Sequence, residues 1–168
     1  MVWRYLIALG SNVRHVRHGR PEQVLAAALT ALDGAGISVL DVAPTIRSAA
    51  LGPAHRRYAN TAAVVECPLE PDALLARLKQ IERAFGRRAR GQRWAARVLD
   101  LDLVLWQGGA WSSPGLTVPH AAFRERAFVL GPARALAAQW RDPLTGLTLR
   151  QLHARLRRRL TRPAAAPR

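Results

Sequence analysis

The order of strand-like and helix-like segments is the feature of this sequence that most restricts its fold. Apolar residues alternate in four segments and recur at helical spacing in two others. We predict strands at 3–10, 37–48, 58–67 and 98–106 and helices at 21–36 and 71–86. The resulting order, β-α-β-β-α-β, is typical of the ferredoxin-like α+β fold, an antiparallel sheet with helices packed on one face.

The second predicted helix shows the helical pattern most clearly. Leu74, Leu78, Ile81 and Phe85 form one apolar stripe, and Gly86 follows as a stop signal. The first predicted helix repeats leucine in the same way. We therefore expect both helices to cover the same face of the sheet.

The length of the chain fits one domain with a real core. The sequence has 168 residues, and 49% of them are hydrophobic. We expect a single domain over 1–161, with two C-terminal helices near 128–138 and 149–160, and a disordered basic tail over 162–168. No apolar run approaches the ~20 residues that cross a membrane. The single cysteine, Cys67, excludes an internal disulfide and fits a cytoplasmic protein.

The net charge of +15 attracts polyanions such as nucleic acid, anionic membranes and nucleotides. Seven arginines lie in 150–168, and we interpret this segment as a solvated basic helix rather than an RNA-binding tail. A ferredoxin-like RNA-binding module remains the main alternative function. It would need paired aromatic residues on the central strands, and the sequence has no such stretch.

The last predicted strand carries two aspartates. Residues two apart on a strand share a face, so the leucines at 99, 101, 103 and 105 point to the core. Asp100 and Asp102 then share the opposite face with Val104 and Trp106. Two carboxylates ~7 Å apart repel each other, and Mg²⁺, which takes one or two carboxylates with waters and phosphate oxygens, removes that repulsion. The alternative is an exposed strand face whose aspartates pair with nearby arginines.

Five arginines precede the aspartates closely: Arg87, Arg88, Arg90, Arg93 and Arg97. Guanidinium groups match phosphate oxygens, and acids for a metal beside arginines for phosphate are what phosphoryl transfer needs. The sequence has neither a Walker A loop nor a G-x-G-x-x-G fingerprint. A nucleotide would therefore be bound by side chains and an unusual loop.

Several motifs follow one another along the chain. They are ALGSN (8–12), LGP with YANTA (51–53 and 58–62), IERAFGR (81–87), RWAARVLDLDLVLW (93–106) and LTVPHAAFRERAFVLGPA (116–133). In these motifs the chain resembles the 6-hydroxymethyl-7,8-dihydropterin pyrophosphokinases of folate biosynthesis. The resemblance runs from residue 1 to about 160. It implies a ferredoxin-like fold and transfer of the pyrophosphoryl group of the co-substrate ATP to a dihydropterin, with release of AMP.

The resemblance also implies roles for single residues. Asp100 and Asp102 would hold two Mg²⁺ ions across the ATP phosphates. The catalytic loop residues are Arg87, Trp94 and Arg97. The ATP-binding residues are Glu82, Arg97, Leu103, Thr117, His120 and Arg126. The pterin-binding residues are Ser48, Leu51, Tyr58, Asn60 and Phe128, with the two aromatic rings on either side of the pterin.

The same resemblance implies the partners. We expect small-molecule substrates only, ATP and a dihydropterin, for a monomer that binds neither membrane nor nucleic acid. The loops at 10–20, 49–57 and 86–98 would close over the reactants and exclude water. Structural alternatives stay open for Tyr58 and Phe128 as core aromatics and for His120 as a turn cap. Ser48, Ala49 and Ala50 stand where the family commonly has Thr-x-Pro or Thr-Pro-Pro, which leaves open a paralogue that acts on another pterin.

Overall fold

A computed structural model describes residues 1–48, 57–86 and 98–161. The strands are β1 (Trp3–Ser11), β2 (Ser38–Val42), β3 (Ile46–Ser48), β4 (Tyr58–Cys67), β5 (Asp100–Trp106), β6 (Trp111–Ser113) and β7 (Leu116–Val118). The helices are α1 (Pro21–Gly34), α2 (Pro71–Ala84), α3 (Ala127–Ala137) and α4 (Leu149–Thr161), with a 3-10 turn at Phe123–Glu125. None of the helices in these ranges is long and apolar enough to cross a membrane.

The main sheet is antiparallel and has the order β2-β4-β1-β5, with β3 also paired to β4. This order, with α1 and α2 as the connections, is the predicted ferredoxin-like arrangement, so the predicted fold class is confirmed. β1 lies between β4 and β5 and is covered on both faces. Tyr5, Leu6 and Ile7 are fully buried for that reason.

Two hydrophobic cores lie on opposite faces of the sheet. Tyr5, Ile7 and Leu9 point into the first core, beneath α1 and α2, as their alternation predicts. Leu6 points into the second core, which is formed with α3 and α4. The prediction of helices on one face is right for α1 and α2, and the C-terminal helices cover much of the other face.

The predicted second strand, 37–48, is interrupted. β2 ends at Val42 and β3 begins at Ile46, with Pro44 between them. Proline has no backbone N–H, so it cannot continue the ladder with β4. The predicted loop at 107–120 also contains a small hairpin of β6 and β7 that the sequence analysis missed.

A β-bulge in β5 corrects the predicted alternation of that strand. Leu6 pairs with Leu105 and Ile7 with Leu103, which leaves Val104 as the extra residue. The bulge moves Leu105 into the second core and turns Trp106 toward the first. The face assignments of Leu105 and Trp106 were therefore wrong. Those of Asp100 and Asp102, which precede the bulge, are unaffected.

Candidate active site

The aspartate face of the sheet carries two rows of paired residues. In one row Asp100 of β5 pairs with Gly10 of β1, which pairs with Asn60 of β4. In the next row Asp102 pairs with Ala8, which pairs with Ala62. Neighbouring strands are ~5 Å apart, so Asn60 and Asp100 are separated by about 10 Å across the sheet. The central strand contributes only small residues here, which leaves a shallow floor between an amide and two carboxylates.

The absence of a side chain at Gly10 leaves room for the side-chain amide of Asn60. A Cβ atom at Gly10 would lie 3.2 Å from Asn60 Oδ1. On its other side the Asn60 Nδ2 donates a hydrogen bond to Ser48 Oγ, at 2.7 Å. Asn60 is only 5% exposed. Its amide is therefore held between Gly10 of β1 and Ser48 of β3.

Two nitrogen-bearing side chains, those of His120 and Arg126, approach Asp102 from the turn that precedes α3. His120 Nε2 lies 3.9 Å and Arg126 Nη1 lies 3.8 Å from Asp102 Oδ2. These distances are too long for hydrogen bonds, so the Arg126 guanidinium attracts the carboxylate without binding it directly, and the His120 ring lies beside it. Burial and, after it, the charge of Asp100 raise the pKa of Asp102, while His120, Lys79 and Arg126 oppose the rise.

Backbone contacts hold His120 in place. Its N–H donates to Val104 O at 3.0 Å, and its Nδ1 accepts from the Ala122 N–H at 3.2 Å. An Nδ1 that accepts leaves the proton of the neutral ring on Nε2, the atom that faces Asp102. The turn reading of His120 is therefore right in part, because one ring nitrogen caps the turn while the other faces the aspartates.

Glu82 supports the aspartate strand from α2. It is 1% exposed, its Oε1 accepts from the Leu101 N–H at 2.7 Å, and Lys79 Nζ lies 3.1 Å from its Oε2. Leu101 stands between the two aspartates on β5, the strand at the edge of the sheet. A buried carboxylate thus satisfies a backbone donor that no further strand pairs with.

The other predicted nucleotide residues lie away from the aspartate face. Leu103 is 3% exposed and belongs to the core beneath α1 and α2. Thr117 is exposed on β7, which lies against α2 and β5. Leu103 therefore faces away from the two aspartates, and Thr117 lies on the hairpin beside α2 and β5.

The predicted pterin residues gather around β4. Tyr58 and Asn60 are two residues apart on β4 and share the face against which α3 packs. Phe128 stands in the first turn of α3, with the Arg126 guanidinium 5.8 Å from its ring centroid. Both aromatic residues are half-buried, unlike the fully buried core aromatics Tyr5 and Phe123. Arg87, Trp94, Arg97 and Leu51 lie outside the described residues.

The donors present fit Mg²⁺. Asp100 and Asp102 offer carboxylate oxygens on one half-exposed face, beside the small residues Ala8 and Gly10. The described residues contain no group of three or more His, Cys, Asp or Glu that could hold a metal. Two carboxylates completed by waters and phosphate oxygens are the ligand set that Mg²⁺ prefers, whereas Zn²⁺ asks for a fuller set of N and S ligands.

Sequence reasoning missed two contributions to this face. Gly10 and Ala8 lie between Asn60 and the aspartates because of the register in which β1 pairs with β4 and β5. The sequence indicated this arrangement only through the ALGSN motif. The Ser48–Asn60 hydrogen bond depends on the pairing of β3 with β4. Apart from this face, the histidines of the β1–α1 loop stack against the end of α2, with His15 against His18 and His18 against Phe85.

Comparisons with known proteins identify one family. Residues 6–138 match the model of the 7,8-dihydro-6-hydroxymethylpterin-pyrophosphokinase family. A 2-amino-4-hydroxy-6-hydroxymethyldihydropteridine pyrophosphokinase from Pseudomonas aeruginosa is 38% identical over 145 residues, which is 85% of this chain and 86% of that protein. A protein of the same name from Synechocystis is 35% identical over 147 residues, 88% of this chain and 73% of that one.

Solved structures show the same fold. Wild-type Plasmodium falciparum HPPK-DHPS with pteroate matches with a TM-score of 0.73 at 9% sequence identity, over 95% of this chain. This chain spans 45% of the length of that protein. Since the family model and both curated relatives match most of the chain, this protein belongs to the 7,8-dihydro-6-hydroxymethylpterin-pyrophosphokinase family.

Proposed function

We propose that this chain transfers the pyrophosphoryl group of ATP to the hydroxymethyl oxygen of 6-hydroxymethyl-7,8-dihydropterin in folate biosynthesis. A bond forms between that oxygen and the β-phosphorus, and the bond from the β-phosphorus to the oxygen that bridges to the α-phosphorus breaks. The bridging oxygen leaves with AMP, and the hydroxyl proton is released. The observation that carries the proposal is the row Asn60–Gly10–Asp100, which aligns an amide for the acceptor with carboxylates for the donor.

The acceptor end is the β4 end of the row. An amide offers a donor and an acceptor side by side, which suits the edge of a pteridine ring. Tyr58 and Phe128, both half-buried, would stack on the two faces of the ring, at about 1 kcal/mol per ring beyond area burial. A flat ring held at Asn60 would lie over Gly10, with its hydroxymethyl arm toward Asp100.

The donor end is the β5 end of the row. Asp100 and Asp102 would hold two Mg²⁺ ions, which supply neutralisation of phosphate charge when bound. The Arg126 guanidinium and the His120 Nε2 both lie within 4 Å of Asp102 Oδ2, so a triphosphate here would meet a positive group and a ring N–H donor as well. Arg87, Trp94 and Arg97 complete the proposal as residues that close over the reactants, with positioning and charge neutralisation as the main sources of catalysis.

The covered sheet disfavours the RNA-binding alternative. RNA-binding modules of this fold stack bases on aromatic residues of the open sheet face. Here α3 and α4 pack on that face, where β1 has Ala8 and Gly10 and the edge strand β5 has two aspartates. We therefore propose that the protein is a cytoplasmic monomer and that its partners are the small molecules ATP and a dihydropterin.

Replacing one metal ligand tests the proposal. Asp102→Asn keeps the shape of the side chain but removes the charge, and we expect AMP formation to fall by about 10²–10³-fold or more. The fold should persist, because Asp102 faces the cleft and its charge is opposed by that of Asp100. The exposed Asp41→Asn on β2 is the matched control and should leave turnover unchanged. Near-normal activity of Asp102→Asn would contradict the metal role.

A further inference from the structure

An ion pair with a fully buried carboxylate joins the turn at 120–126 to the connection between α3 and α4. Arg124 Nε donates to Asp142 Oδ2 and Arg124 Nη2 donates to Asp142 Oδ1, each at 2.7 Å. Asp142 is fully buried. Two parallel hydrogen bonds from one guanidinium fix a direction as well as a distance. The pair is therefore a rigid link rather than a surface contact.

The Asp142 end of the link is anchored. Its carboxylate also accepts from the Leu144 N–H at 3.1 Å and from Thr145 Oγ1 at 2.6 Å. Its backbone N–H donates to Leu147 O, and its backbone O accepts from the Gly146 N–H. Every one of these bonds lies within the α3–α4 connection, so the carboxylate cannot move without breaking that turn.

The Arg124 end lies between the two groups that approach Asp102. Phe123 N–H donates to His120 O at 3.1 Å, and Arg126 N–H donates to Phe123 O at 3.3 Å. Phe123 is fully buried, and the Arg124 guanidinium lies 4.7 Å from its ring centroid. The buried Phe123 ring thus anchors the turn in the second core, and Arg124 ties it to the α3–α4 connection.

We propose that Arg124 and Asp142 are positioning residues, which set the approach of His120 and Arg126 to the phosphate-binding end of the site. The inference rests on the proposed nucleotide role of those two residues. Neither Arg124 nor Asp142 is among the residues proposed to contact the reactants. A buried ion pair adds little stability over a well-packed apolar pair, so orientation is its main contribution.

Arg124→Lys tests orientation directly, because it keeps the positive charge and loses the fork. We expect the Kd of the analogue α,β-methylene-ATP, measured with Mg²⁺ by calorimetry, to rise about tenfold. Asp142→Asn, which keeps the shape, should raise the same Kd and serves as the second variant if Arg124→Lys does not fold. Loss of stability alone would lower the Tm without this change in Kd.

The control is a variant that loses stability in another part of the fold. Leu25→Val removes one buried methylene from α1, on the other face of the sheet, and should lower the Tm while leaving the Kd at the wild-type value. The inference is overturned if both turn variants bind the analogue like the wild type, or if Leu25→Val weakens binding equally. A wild-type protein that does not bind the analogue would instead overturn the proposed nucleotide role, and the inference with it.

Discussion

At the scale of single residues, Gly10 occupies the point where the two ends of the site meet. Its pairing partners are Asn60 on one side and Asp100 on the other. Any side chain at this position would stand on the floor of the cleft and press on the Asn60 amide. The residue with no side chain is therefore as much a part of the acceptor site as the amide that it makes room for.

Gly10→Ala should weaken the acceptor site selectively. The added Cβ would lie 3.2 Å from Asn60 Oδ1, closer than ordinary contact, so the amide must shift. We expect the KM for the dihydropterin to rise about tenfold, equivalent to about 1.4 kcal/mol, with a smaller change in the KM for ATP. Steady-state kinetics with each substrate varied in turn measures both values.

Gly34→Ala is the matched control for this prediction. A Cβ at Gly34, in the last turn of α1, meets no atom within 4 Å. Both kinetic constants should stay at their wild-type values. Equal increases of the two KM values in Gly10→Ala would show that the site as a whole is distorted, against the selective role of Gly10.

At the scale of elements, β5 depends on α2 for the geometry of its outer edge, the one that does not pair with β1. The Glu82 carboxylate accepts from the Leu101 N–H between the two aspartates and pairs with Lys79. An edge strand otherwise has a row of unpaired backbone groups on one side. Glu82 thereby fixes the strand that carries Asp100 and Asp102, in addition to the nucleotide role that the family resemblance predicts.

Two substitutions of Glu82 should separate its hydrogen bond from its charge. Glu82→Ala leaves the buried Leu101 N–H without this acceptor, and we expect the free energy of unfolding to fall by about 1–3 kcal/mol. Glu82→Gln keeps an acceptor oxygen and should cost less. Urea denaturation measures both values, and equal losses would show that the hydrogen bond to β5 is not what matters.

The strands and helices also show which structural features local sequence patterns can predict. The two-residue period of β1 and the helical period of α2 predicted their buried faces correctly, because each side chain needs only its own element to define its direction. The bulge at Val104 was not predictable, since it arises from the register between β5 and β1. Pro44 indicated that the predicted strand 37–48 is interrupted, but the alternation of apolar residues favoured one continuous strand.

At the scale of the whole molecule, the ferredoxin-like order followed from the sequence because the sheet is built from segments with clear periods. The residues of the candidate site could be predicted from the sequence only in part. Asp100, Asp102, His120 and Arg126 were predicted from motifs, and the structure brings them together. Gly10 and the Arg124–Asp142 link were missed, because cross-strand pairing and long-range ion pairs leave no local pattern.

The buried Asp142 gives the molecule an acid-sensitive contribution to stability. Burial alone would raise the pKa of Asp142, but hydrogen bonds from Arg124, Thr145 and the Leu144 N–H outweigh it and lower the pKa. A lowered pKa contributes stability above the unfolded-state value of about 4, and this stability is lost as pH falls through the folded-state pKa. Asp142→Asn should therefore be less stable than the wild type at pH 7, with the difference shrinking in acid. Urea unfolding at a series of pH values measures it, and a difference independent of pH would contradict the assignment.

The central claim is the transfer of an intact pyrophosphoryl group to a dihydropterin. The most direct measurement incubates the protein with Mg²⁺, 6-hydroxymethyl-7,8-dihydropterin and ATP labelled at the γ-phosphate, and separates nucleotide from pterin products. We predict AMP in equal amount to a labelled pterin diphosphate, and no AMP when the dihydropterin is omitted. ADP with a pterin monophosphate, or AMP that forms without the dihydropterin, would contradict the account.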